Sequence, residues 1–144
     1  MRLVLDTDVL VAALRSDRGA SRQLLLSALD REIGVLASVP LMLEYEAVLT
    51  RPEHLDASRL TVGHVNEVLD ALTKVIIPVH MNFGWRPRLK DPGDEMVLET
   101  AVNGEADRLV TFNLRHLAAA AREFGIRAFL PRDMWKEVQR NEKK

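Results

Sequence analysis

Two aspartates, Asp6 and Asp8, follow directly on the apolar run Leu3-Val4-Leu5, and further acids recur downstream as Glu44, Asp91 and Asp94, with the amide of Asn113 later still. If these side chains shared one crevice they would repel: two unit charges ~4 Å apart cost roughly 4 kcal/mol at an effective dielectric near 20. Such a cluster calls for a cation. Oxygen ligands from Asp, Glu and Asn, in a chain without cysteine, select a hard ion, Mg²⁺ or Mn²⁺, over zinc. Hard divalent ions suit phosphoryl chemistry, in which an activated water attacks in line and a second ion about 4 Å away stabilises the leaving oxygen.

Each residue also has a plainer reading. Asp6 and Asp94 are natural helix N-caps, Asp91 before Pro92 is ordinary turn chemistry, and Glu44, with Glu46 as its rival, could lie on a solvated helix face. Asp107 precedes an expected strand and so belongs to the opposite edge of a sheet, in a structural role. His54, His64 and His80 show no metal-ligand spacing, and His116 reads as a cap or packing residue.

The elements that would have to gather these residues are short strands alternating with helices. Leu3–Leu5 reads as a central strand buried on both faces, followed by a short helix over 9–14 and a longer one over 21–31. Gly34–Ala37 is a second strand. A helix opened by Ser38 or Pro40 runs to before Pro52, and helical spacing over 61–72 leads into a third strand at Val75–Ile77. Residues 82–93, with two Pro and two Gly, form the main loop. A helix capped by Asp94 follows, then a strand at Leu109–Thr111, a helix over 114–124, a strand at Arg127–Leu130 and a last helix opened by Pro131. This alternation predicts a three-layer α/β/α fold with a central parallel sheet of four to five strands, whose ligand crevice lies at the carboxyl ends of the strands. Asp6, Asp8, Glu44, Asp91, Asp94 and Asn113 all fall at that edge.

Composition narrows the options. A chain of 144 residues with 47% apolar content supports a single domain over 1–144, with residues from about 140 to 144 as a frayed tail. Twenty basic residues nearly balance twenty-one acidic ones, so a polyanion would be held by local patches or bridging cations rather than by the net charge of -1. Only 5% of residues are aromatic, which suits aliphatic packing better than an aromatic platform for single strands. No signal peptide or membrane span is evident, and the expected location is the cytoplasm.

Four segments carry a resemblance, in order, over nearly the whole chain. Leu5-Asp6-Thr7-Asp8-Val9-Leu10-Val11 resembles the opening motif of PIN domains, with Asp8 where Asn is usual. Pro40-Leu41-Met42-Leu43-Glu44-Tyr45 resembles the family's glutamate helix, Lys90-Asp91-Pro92-Gly93-Asp94-Glu95 its Asp-Pro-x-Asp segment, and Ala106 to Asn113 its closing strand. The resemblance implies a Mg²⁺- or Mn²⁺-dependent endoribonuclease that hydrolyses RNA phosphodiesters with a metal-activated water. Asp6, Glu44, Asp94 and Asp91 would be catalytic, and Asp6, Glu44, Asp94 and Asn113 would hold the metal. Many relatives carry Asp at the last position; Asn113 removes one charge and weakens a second metal site. Similar proteins are VapC-like toxins of bacterial toxin-antitoxin pairs, which implies a homodimer and a small antitoxin partner.

Two basic rims could grip phosphates: Arg15, Arg18 and Arg22 beside the first motif, and Arg86, Arg88 and Lys90 before the third, with Thr111 as a further substrate contact. Two alternatives stand beside this reading. Asp6-Thr7-Asp8 also satisfies the Asp-x-Asp motif of haloacid-dehalogenase-like phosphatases, with Asp6 as nucleophile, and Asn113 could mark a catalytically decayed PIN module kept for its surface.

Overall fold

The computed structural model describes residues 1–82 and 84–142. Phe83, within the expected 82–93 loop, and Lys143-Lys144, within the expected tail, lie outside the described residues. The first strand, β1 (Arg2–Leu5), is apolar at three successive positions because both of its faces are covered; Leu3, Val4 and Leu5 are each 0% exposed. Burial of this kind stabilises by roughly 1.5–3 kcal/mol per side chain.

After β1 come α1 (Thr7–Arg15), α2 (Ala20–Leu29), β2 (Gly34–Ala37), α3 (Val39–Leu49), α4 (Pro52–Ser58), α5 (Val62–Val75) and β3 (Ile77–Pro78). The second half of the chain adds α6 (Pro92–Asn103), β4 (Arg108–Val110), α7 (Leu114–Glu123), β5 (Arg127–Phe129) and α8 (Pro131–Glu142). All strand pairs are parallel, in the order β3-β2-β1-β4-β5. The protein is thus a three-layer α/β/α fold around a five-stranded sheet with β1 at its centre, as the alternation of elements predicts. Right-handed crossovers put α1 to α5 on one face and α6 and α7 on the other, while α8 returns to pack on α2.

Several boundaries differ from expectation for identifiable reasons. Residues 52–58 form α4, a helix not anticipated, which starts with Pro52 at its first position, where a missing N–H costs nothing. Val75 and Ile76 are not strand residues: α5 continues through Val75, held at its start by a reciprocal Thr61–His64 capping box, and β3 shrinks to two residues. α6 is capped three residues earlier than expected. Its cap is Asp91, whose carboxylate accepts from Gly93 N at 2.8 Å and Asp94 N at 3.1 Å, with Pro92 inside the first turn. Arg140 and Asn141 belong to the last turn of α8. Among the described residues no helix is long and apolar enough to cross a membrane.

The order of strands reverses direction at β1. The chain builds β1, β2 and β3 outward on one side, then crosses over to lay β4 against the other edge of β1. The gap between the carboxyl ends of β1 and β4 is therefore the topological switch point, where connections leave to opposite faces and a crevice opens. Asp107 lies at the far end, accepting from Arg2 N at 2.8 Å while its own amide bonds Arg2 O, and so fastens the starts of β1 and β4 together.

Candidate active site

Asp6 continues the β1 ladder by one residue, its amide donating to Val110 O at 2.9 Å. It occupies the N-cap position of α1 but makes no side-chain capping bond. Its carboxylate turns instead toward β4, where Oδ2 accepts from the Thr111 hydroxyl at 2.7 Å, and the residue is only 8% exposed. Asn113 repeats the pattern: it is the N-cap residue of α7, makes no side-chain cap, and sends Nδ2 to Asp94, 3.1 Å from Oδ2 and 3.3 Å from Oδ1. Because Asp91 caps α6, the Asp94 side chain is free of that duty, and it lies 13% exposed in the crevice.

These side chains share one electrostatic field. Burial pushes the Asp6 carboxyl up, the Thr111 hydroxyl and Thr7 amide oppose this, and the charges of Asp94 and Asp91 add to the rise. Asp8, whose carboxylate accepts from Phe112 N at 3.2 Å, is pushed up to about 7, first by burial and then by the charges of Asp6 and, more weakly, Asp94. Four aspartates therefore converge. Glu44 is half-buried on α3. Among the described residues no group of three or more His, Asp or Glu side chains is arranged to hold a metal ion by itself.

A cleft of about 500 Å³ opens beside this centre, lined by Arg88, Leu89, Lys90, Asp91, Asp94, Asn113 and His116. Of the two expected basic rims, this structure brings the second to the acids through Arg88 and Lys90, while Arg86 is exposed on the same loop. Two residues of the first rim have other partners. Arg15 contacts His54 Nδ1 at 2.7 Å, Arg22 bonds Ala13 O and pairs with Asp17, and Arg18 is exposed.

Thr111, expected as a substrate contact, lies buried beneath the acids. It is 0% exposed, and its hydroxyl donates to Asp6 and accepts from Asn113 N. Asn113 presents its amide nitrogen to Asp94, a donor where a ligand oxygen was expected. His116 is no packing residue: its side chain is 62% exposed on the cleft wall, with Nδ1 3.8 Å from Asp94 Oδ2.

Two positioning residues were not singled out from sequence. Tyr45, 0% exposed on α3, donates its hydroxyl to Leu5 O, the carbonyl just before Asp6, and burial pushes its phenol up. Glu95 accepts three bonds from the loop before α6: from Trp85 Nε1 at 2.7 Å, Arg88 N at 2.9 Å and Leu89 N at 2.7 Å. Trp85 stacks near Phe124 with centroids 5.6 Å apart, and Arg88 lies over the same Phe124 ring. The Glu95 side chain thus fixes the path of the basic loop. Its place next to Asp94 was the only available signal.

A parallel α/β/α sheet with an acidic crevice at its switch point, flanked by cations, defines a class of domain suited to chemistry on phosphate esters. The family model described as PIN domain matches residues 2–115, and the chain belongs to that family. No curated protein matches the chain. The matched region runs from β1 into α7 and spans every acid described above, which sets aside the haloacid-dehalogenase-like alternative; PIN domains are usually metal-dependent nucleases.

Proposed function

We propose that this protein is a Mg²⁺- or Mn²⁺-dependent endoribonuclease that hydrolyses RNA phosphodiesters at the Asp6–Asp94 crevice. One observation carries the reading: the Asp6 and Asn113 side chains, at the N-cap positions of α1 and α7, bond across the switch point to Thr111 and Asp94. A capping bond typically contributes ~1 kcal/mol, and Asn113 gives its side chain to Asp94 instead.

The donor set fits a hard divalent ion. Mg²⁺ keeps most of its waters and binds through one or two carboxylates plus substrate phosphates rather than in a full protein cage, which accords with acids that converge without forming a closed triad. Asp6 and Asp94 would hold it, with Asp8, Asp91 and Glu44 available to its water shell. When bound, the ion supplies charge neutralisation and a more acidic water. The protein's own part is then definite. Thr111 and Tyr45 hold Asp6 in place, Asn113 orients Asp94, and Arg88 and Lys90 draw the phosphate backbone to the acids.

The finer assignment is a toxin of a bacterial toxin-antitoxin pair, cytoplasmic, homodimeric and silenced by a small antitoxin. Its support is the four ordered motifs and the apolar face of α3, where Val39 is 73% and Leu43 62% exposed, a surface that a homodimer would bury.

The test is cleavage of a mixed panel of structured and single-stranded RNAs with Mg²⁺, Mn²⁺ or chelator, beside Asp6→Asn. Cleavage that requires the ion and disappears in the variant is the expected result. Folded, ion-supplied protein that cuts no RNA in the panel would favour the decayed-module reading instead.

A further inference from the structure

A second cleft, of about 410 Å³, is lined in part by Phe112. Its walls are mainly apolar and include Ala12, Phe112, Leu130 and Pro131, with Arg132 at the rim. Phe112 is one of several exposed large apolar side chains and is the aromatic one among them. It is 51% exposed, although it sits between Thr111, which is fully buried, and Asn113, which is bound to Asp94. Its amide donates to the Asp8 carboxylate at 3.2 Å. Among the described residues its ring has no aromatic or cationic partner, whereas Phe124 and Phe129 are each covered by at least one arginine.

We infer that this cleft is a base-binding subsite, in which Phe112 stacks an unpaired nucleobase of the substrate strand one step from the acidic centre. The inference rests on the nuclease reading and narrows its substrate to single-stranded RNA or to an unpaired loop. Stacking on one fixed ring needs no rich aromatic platform and tolerates any base, which accords with a chain of low aromatic content. Arg132, on the first turn of α8, supplies a cation for the adjoining phosphate. The strand would then lie between Arg132 on one side of the acids and Arg88 and Lys90 on the other. Leu130, Pro131 and Arg132 lie beyond residue 115, where the family match ends, so this half of the subsite belongs to the C-terminal part of this chain.

The experiment is fluorescence anisotropy of the full chain with a labelled single-stranded RNA, with Ca²⁺ in place of Mg²⁺ so that binding is read without cleavage. One abasic position is scanned along the strand. Phe112→Ala should weaken binding by about fivefold to a hundredfold and Phe112→Trp should retain it, while Val62→Ala, an exposed apolar change elsewhere, should leave it unaltered. At one strand position, removing the base should weaken the parent by a similar factor and have no further effect on Phe112→Ala. The subsite is overturned if Phe112→Ala binds like the parent, if the abasic penalty persists in full in that variant, or if no binding is seen. Cleavage in Mg²⁺ is scored separately. Phe112-dependent binding without cleavage removes the nuclease and keeps the subsite, and cleavage indifferent to Phe112 does the reverse.

Discussion

The Thr111 hydroxyl donates to Asp6 Oδ2 at 2.7 Å, joining residues 105 positions apart in sequence and tying the end of β1 to the end of β4. This bond holds a buried carboxylate at the middle of the sheet's active edge.

Thr111→Val keeps the shape and deletes the donor, leaving Asp6 buried without that partner. Urea denaturation should show a loss of about 1–3 kcal/mol, and Thr111→Ser should restore most of it. Since the hydroxyl opposes the rise of the Asp6 carboxyl, Thr111→Val should also weaken Mg²⁺ binding measured by calorimetry. Unchanged ion affinity would limit Thr111 to packing.

The Asp8 carboxyl, pushed up to about 7 from its ordinary 3.8, holds its proton more firmly in the folded than in the unfolded chain. Between those values the folded state binds more protons, so this group's contribution to stability falls as pH rises through the window and is lowest above about pH 7. Asp8→Asn can still accept from Phe112 N and carries no charge. In chelator it should match the parent near pH 3.8 and exceed it by about 1–2 kcal/mol at about pH 8. A gain independent of pH would show that repulsion is not the cause.

Glu95 organises the loop that brings Arg88 and Lys90 to the cleft. Glu95→Ala should raise KM for RNA about tenfold or more with less effect on kcat, because it disturbs substrate holding and not the acids. In a Trp135→Phe background, Trp85 emission should shift at the same time. Glu95→Gln can keep the two bonds made to Oε1 and should fall between parent and Ala variant.

Asn113→Asp replaces a donor to Asp94 with a second charge. The variant should lose about 1–2 kcal/mol in chelator and gain more from added Mg²⁺ or Mn²⁺ than the parent does, as read by thermal melts across an ion titration. Equal gains in both proteins would mean that position 113 does not face the ion.

How much of this could be read from the chain alone varied with the range of the interaction responsible. β2 was legible to the residue, because Gly34–Ala37 is a short apolar run between clear breaks, and Pro131 announced α8. The extent of α5 was not: Val75-Ile76-Ile77 is β-branched and apolar, yet a helix already propagating from the Thr61 cap continues into it. At the start of α6 two aspartates three residues apart could each cap. Local geometry chose Asp91, since Pro92 suits the first turn and puts the Gly93 and Asp94 amides within reach.

Sequence by itself determined the class of fold, the central place of β1 and the set of acids at the strand ends, since periodicity, turn residues and the type of each side chain are local properties. Only the tertiary structure decided which acids share a field, that Thr111 is sealed inside, that Arg15 turns to His54, and that Glu95 and Tyr45 hold the site in place. Those outcomes depend on hydrogen bonds and burial between segments distant in sequence, and neither composition nor spacing records where a side chain finds its partner.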